Sequence, residues 1–143
     1  MAKILFLVED ISRLDSLKYE FQELEEAGYD LIRLVGSDKA FAEVDRNDAD
    51  AVIIPLWMPT GERYAAAPTR GGMRTGLFLL RDIRQRNESK EKPCILYYAG
   101  FLPDEFEECK RRVQGDLFTK LVDPLKCEPS LSGFITALKE LGV

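Results

Sequence analysis

The feature that most constrains this chain is the alternation of short, solidly apolar runs with longer amphipathic stretches. Ile4-Leu5-Phe6-Leu7-Val8, Ala51-Val52-Ile53-Ile54 and Cys94-Ile95-Leu96-Tyr97-Tyr98 are apolar at successive positions, so both faces of each strand must be covered. That pattern belongs to a parallel sheet with helices on both sides. Between the runs, Leu14, Leu17, Phe21 and Leu24 recur at helical spacing after Ser12, a candidate N-cap, and Gly28 stops them. Tyr29 to Val35 reads as a second strand and Asp38 to Val44 as a short helix. Leu77, Leu80 and Ile83 mark a third helix. Pro103-Asp104-Glu105 opens a fourth that ends in Lys110, Arg111 and Arg112, with acid at the start and base at the finish as the helix dipole prefers. Leu117-Phe118-Thr119 reads as the fifth strand and Leu131 to Leu141 as the closing helix. Five strand–helix units predict a doubly wound α/β fold, a single domain over residues 1–143 with an inserted loop at about 60–75.

Composition narrows the chemistry. The chain has 143 residues, no histidine and a formal net charge of -5. Without histidine there is no Ser-His-Asp triad, no Cys-His pair and almost no conventional zinc site. The acidic balance argues against a nucleic-acid partner. Cys94, Cys109 and Cys127 are odd in number and form no C-x-x-C pair, which fits thiols in a reducing compartment. The apolar run at Ile4 to Val8 is too short for a signal peptide or a membrane span. A cytoplasmic location is the expectation, with no membrane association and no cofactor.

In a doubly wound sheet, ligands bind beyond the carboxyl ends of the strands. Three landmarks lie there: Glu9-Asp10 after the first strand, the third strand running through Pro55 into Trp57-Met58-Pro59, and Lys120 after the fifth. Together with Leu24-Glu25-Glu26-Ala27-Gly28-Tyr29-Asp30 and Gly115-Asp116-Leu117-Phe118-Thr119-Lys120, they resemble the receiver domain of two-component response regulators, the CheY-like family with a flavodoxin-like sandwich. The resemblance runs nearly end to end. It implies an acidic pair for Mg²⁺ at Glu9 and Asp10, a phosphate-accepting aspartate four residues before Pro59, a hydroxyl at the end of the fourth strand, and a lysine at Lys120. Carboxylates hold a hard cation, the aspartate attacks phosphorus, and hydroxyl and ammonium hold the oxygens.

The departures from that pattern are specific. The phosphoacceptor position is Pro55, which has no nucleophile, and the hydroxyl position falls on Tyr98, whose bulk fills phosphate space. Asp48 and Asp50 lie at the other end of the third strand, about 17 Å away at the usual rise per residue. Proline cannot donate to a sheet ladder, so Pro55 is expected at the strand's very end. Glu9 and Asp10 lack a third carboxylate for a cation, and Asp10 could instead help cap the first helix. Lys120 is expected to pair with Glu9 or Asp10 across the pocket. Phe118 falls where the family carries an aromatic that swings on phosphorylation.

The insertion from Thr60 to Gly76 adds Arg63, Arg70 and Arg74, with Gly71-Gly72 for close backbone approach and Thr75 leading into a helix N-terminus. Such a loop could hold an anion or a nucleotide phosphate, or be a surface loop with some of its arginines paired to Glu9 or Asp10. The sequence therefore points first to a non-phosphorylatable receiver-like signalling module, not an enzyme, acting on another signalling protein or on a second copy of itself. A small-molecule or phosphate sensor using the arginine loop is the alternative. A hydrolase using Glu9 or Asp10 as base comes last.

Overall fold

The computed structural model of the chain describes residues 1–97, 103–122 and 133–143. Its elements run β1 (Lys3–Val8), α1 (Ser12–Ser16), α2 (Lys18–Glu26), β2 (Asp30–Val35), α3 (Ala40–Asn47), β3 (Ala51–Pro55), α4 (Thr75–Arg84), β4 (Cys94–Tyr97), α5 (Pro103–Val113), β5 (Thr119–Val122) and α6 (Gly133–Glu140). The five strands form one parallel sheet in the order β2-β1-β3-β4-β5. The solid apolar runs predict the doubly wound parallel sheet, the order is the flavodoxin-like one that the resemblance implies, and its switch point lies between β1 and β3.

Alternation along each strand sorts two cores. Ile4, Phe6, Val8, Ala51, Ile53, Ile95, Tyr97 and Val122 face Leu17, Phe21 and Leu24 on one side and Phe134, Ala137 and Leu138 of α6 on the same layer. Leu5, Leu7, Val52, Ile54, Cys94 and Leu96 face α3, α4 and α5 through Ala40, Val44, Leu79, Leu80, Ile83 and Cys109. Phe6 is the hub of the first core: its ring meets Phe21, Tyr97 and Phe134 at centroid distances of 4.9, 5.5 and 5.2 Å, geometry that favours aromatic pairs.

Two local expectations change. The first helix breaks at Leu17, which caps both α1 and α2. Ser12 does not cap it; Ile11 precedes the helix without a side-chain cap, and the Ser12 hydroxyl donates to Asp10 instead. The fifth strand starts later than Leu117. Gly115 turns the chain at φ +85°, and the Phe118 amide donates to the Asp116 carboxylate at 2.9 Å. This Asp-stabilised turn delays the ladder until Thr119. No helix among the described residues is long and apolar enough to cross a membrane.

Candidate functional site

The carboxyl ends of β1 and β3 meet at the switch point, and the site there is built from Glu9, Asp10, Pro55 and Tyr97. Pro55 closes β3 and is buried; Tyr97 lies beside it in the β3–β4 register. The strand-end position forced by the missing N–H is thus observed. The next amide, Leu56 N–H, donates to Tyr97 O at 2.8 Å. Tyr97 is 1% exposed, and its hydroxyl donates to the Leu7 carbonyl at 2.8 Å. Burial first, and then the nearby Glu9 charge, push its phenol well above its ordinary range. It is a neutral hydrogen-bond donor at any physiological pH.

Glu9 does not wait for a metal or for Lys120. Its carboxylate accepts a hydrogen bond from Arg13 Nε at 3.1 Å, one helical turn further on. Asp10 accepts from the Ser12 hydroxyl, and that bond, with the Ser12 and Arg13 amides, outweighs desolvation and holds its carboxyl below the usual value. Both acids are thus engaged beside the start of α1, although no side chain caps that helix. Among the described residues no group of three or more metal-ligating side chains comes together.

The expectation for Lys120 is overturned. Because β5 begins at Thr119, Lys120 is level with Ile95 in the sheet rather than beyond its end, and its ammonium pairs with Glu140 of α6 at 3.3 Å. The position that follows the strand is Asp123, before Pro124, outside the described residues. The same two-residue displacement moves Phe118 to the opposite end of the sheet, where its carbonyl accepts from Cys94 N–H at 2.8 Å; it does not face the crest as a switch aromatic would. Tyr98 lies outside the described residues, as do Phe101, Leu102 and Cys127. The aromatic that packs at the crest is its neighbour Tyr97.

The inserted loop is folded against the domain. Asp38 accepts the Glu62 and Arg63 amides at 3.0 and 3.4 Å, Met58 N–H donates to Gly72 O at 3.2 Å, and the buried Thr75 hydroxyl donates to Met58 O at 2.9 Å. Tyr64, 2% exposed, donates its hydroxyl to Asp82 of α4 at 2.7 Å. The loop's arginines pair with carboxylates of α4 and α5 and not with Glu9 or Asp10. Arg63 meets Asp82 at 3.4 Å, Arg70 meets Glu105 at 3.2 Å, and Arg74 meets Glu105 and Glu108 at 3.6 and 3.8 Å. The amides at the start of α4 are also taken: Thr75 by Gly72 O, Gly76 by Leu56 O and Leu77 by Arg74 O. Gly71 and Gly72 adopt φ +70° and +92°, and a side chain at Gly72 would run into the Met58 carbonyl. Here Gly72 brings backbone to backbone, while Gly71 has open space around it.

Arg13 was not singled out as a site residue, although its spacing four residues after Glu9 is the sequence signal for such a pair. Arg84 and Asp116 were also missed. All five N–H groups of Arg84 are used: Nε to Asp116 at 2.7 Å, Nη1 to Ser89 O and Lys92 O at 3.3 and 2.7 Å, and Nη2 to Phe118 O and Thr119 Oγ1 at 3.1 and 2.8 Å.

No protein-family model matches the chain, and no curated protein does. Solved structures do. The chemotaxis protein CheY4 of Vibrio cholerae superposes with a TM-score of 0.69 at 19% identity, covering 99% of this chain and 98% of that one. A putative response regulator from Chloroflexus aurantiacus gives 0.65 at 20% identity over the full length of both. The signal receiver domain of a signal transduction histidine kinase from Syntrophus aciditrophicus gives 0.64 at 19%, covering 99% and 91%. At such identities the likeness is one of architecture: this chain has the five-stranded fold of response-regulator receiver domains.

Proposed function

We propose that the chain is a receiver-fold signalling domain that accepts no phosphoryl group and acts through contacts with another protein. The observation that carries the reading is Pro55. It occupies the end of β3 at the switch point, buried, with its carbonyl against Gly76 and Tyr97 alongside. No oxygen nucleophile stands on that residue. The remaining parts serve other partners: Glu9 serves Arg13, and Lys120 serves Glu140. Signalling is the use supported by the fold of the neighbouring structures, a single domain of cytoplasmic type is the reading of the whole chain, and a second copy is one partner to test. The sensor reading finds less support, because Arg63, Arg70 and Arg74 already meet carboxylates and the first amides of α4 are occupied.

The test is exposure to acetyl phosphate with Mg²⁺, and separately to beryllofluoride, read by intact-mass spectrometry and fluorine NMR. No added mass and no bound fluoride resonance are expected. A stoichiometric phosphoryl adduct on any residue would sink the proposal.

A further inference from the structure

A second site lies away from the strand ends. Residues of α4 and of the end of α5 line a groove of about 360 Å³: Leu77, Phe78, Leu80 and Val113, with Arg81 and Gln85 from α4, Arg112 from α5, and the Arg84–Asp116 pair. That volume and an apolar lining with few polar groups are those of small-molecule sites, ~300–1,000 Å³. It has the volume of roughly ten small groups, each of the ~30 Å³ that a water occupies in the liquid.

The charge around it runs against the chain's net charge of -5. Arg84 and Asp116 neutralise each other, and the five bonds of Arg84 hold it in place. The carboxylates beside the other two arginines are divided among several donors. Asp82 accepts from Arg81, Arg63 and the Tyr64 hydroxyl, and Glu108 from Arg74, Arg111 and Arg112. Two guanidiniums meet Asp82 beside the neutral Tyr64 hydroxyl, and three meet Glu108, of which Arg74 also meets Glu105, so positive charge is in excess at the groove. Arg81, stacked 4.6 Å over the Phe78 ring, and Arg112 keep about half of their side-chain surface in solvent, so a guanidinium face stays within reach of a ligand.

We propose that this groove binds an amphiphilic anion, a linear apolar body of about ten carbons lying on Leu77, Leu80 and Val113 with its carboxylate between Arg81 and Arg112. Apolar burial supplies the attraction, and the two arginines select an anionic head over a neutral or cationic one.

The experiment is a titration of the ¹⁵N-labelled full chain with decanoate below its micellar concentration, beside decanol and decyltrimethylammonium, followed by amide chemical shifts. Saturable shifts confined to residues 77–85 and 112–116 are expected, with decanoate bound at least tenfold tighter than decanol. Raising salt should narrow that gap. Arg81→Gln/Arg112→Gln, both exposed positions, should erase the preference while leaving the remaining spectrum in place. Equal affinity for decanol, non-saturating shifts, shifts centred elsewhere, or no shift at all would each overturn the assignment. None of these outcomes bears on phosphoryl transfer at the strand ends.

Discussion

Replacing Arg84 tests whether the sheet's far end is held as the structure indicates. In Arg84→Met the apolar stem is roughly kept while five hydrogen bonds are lost. Asp116, whose side chain is 19% exposed, loses its cation, the Lys92 carbonyl loses the Arg84 donor, and the Ser89 and Phe118 carbonyls each keep one backbone N–H but lose the Arg84 bond. Removing one partner of a buried pair costs ~3–5 kcal/mol. The residual exposure lets water reach some of these groups, which puts the expected loss near the lower end, about 3 kcal/mol. At ~3 °C per kcal/mol for a chain of this size, the melting temperature falls by about 9 °C. Arg84→Lys keeps the charge but not the fork, and about 2 kcal/mol of the loss should remain. The effect carries a pH signature. Burial raises the Asp116 carboxyl, but bonds from Arg84, Thr119 and the Phe118 amide outweigh it and hold the pKa below its ordinary 3.8. A depressed acid contributes stability that is full above the unfolded value and is lost as pH falls below it through the lower, folded value. The difference between wild type and Arg84→Met should therefore be full at pH 7 and shrink below about pH 4. Urea unfolding followed by Trp57 fluorescence at pH 7 and pH 3.5 measures both. A loss under about 1 kcal/mol at pH 7, or one equally large at pH 3.5, would refute the reasoning.

Restoring an aspartate alone should not restore a phosphorylation site: Pro55→Asp is expected to stay unlabelled by beryllofluoride with Mg²⁺, because Arg13 holds Glu9 and Lys120 points to Glu140. A bound fluorine resonance in that variant would show that the crest is one substitution from competence. Gly76→Ala should destabilise the fold by about 3 kcal/mol, since the added methyl would run into the Pro55 carbonyl and stand 2.9 Å from Leu56 Cα; chemical denaturation reads it. Gly71→Ala, with open space around it but φ +70°, should cost only about 1–2 kcal/mol in the same assay.

The architecture was legible because burial on both faces leaves a strand almost no polar positions, and β1, β3 and β4 show that directly. What failed was β5. Leu117 and Phe118 have strand-like side chains, yet Leu117 is 84% exposed, and the Asp116 carboxylate spends its hydrogen bonds on a turn. Propensity favoured extending the strand backwards; the side-chain bond to backbone, invisible to periodicity, stopped it. The later start of β5 reaches the site, because Lys120 and Phe118, which the resemblance implies at the crest, then fall at the strand's beginning. Tyr98, the hydroxyl position that the resemblance implies, lies outside the described residues; the tyrosine paired with Pro55 in the ladder is Tyr97. The arginine loop was recognisable as unusual, but the partners of Arg70 and Arg74 lie on α5, more than thirty residues away, where no local pattern reaches.

Taken together, the contacts describe a crest whose acid groups already have partners within the chain. In a site built for phosphate, acid groups and an ammonium are kept apart until a ligand satisfies them, and the unpaired charge is what makes binding favourable. Here each group has a local partner: Glu9 has Arg13, Asp10 has Ser12, and Lys120 has Glu140. The loop that passes near Pro55 is tied to α5 by Arg70 and Arg74 through carboxylates less than one-fifth exposed. Contacts of that kind hold one arrangement of loop and helix without any added anion, because breaking them would strand charges in a partly desolvated place. A cation or phosphate arriving at the crest would meet Glu9 already paired with Arg13 and Asp10 already bonded to Ser12, while Lys120 is engaged elsewhere with Glu140. The physical cost of switching by that route is therefore set by pairs already made, which favours a fixed α5 surface offered to a partner over one that moves on phosphorylation.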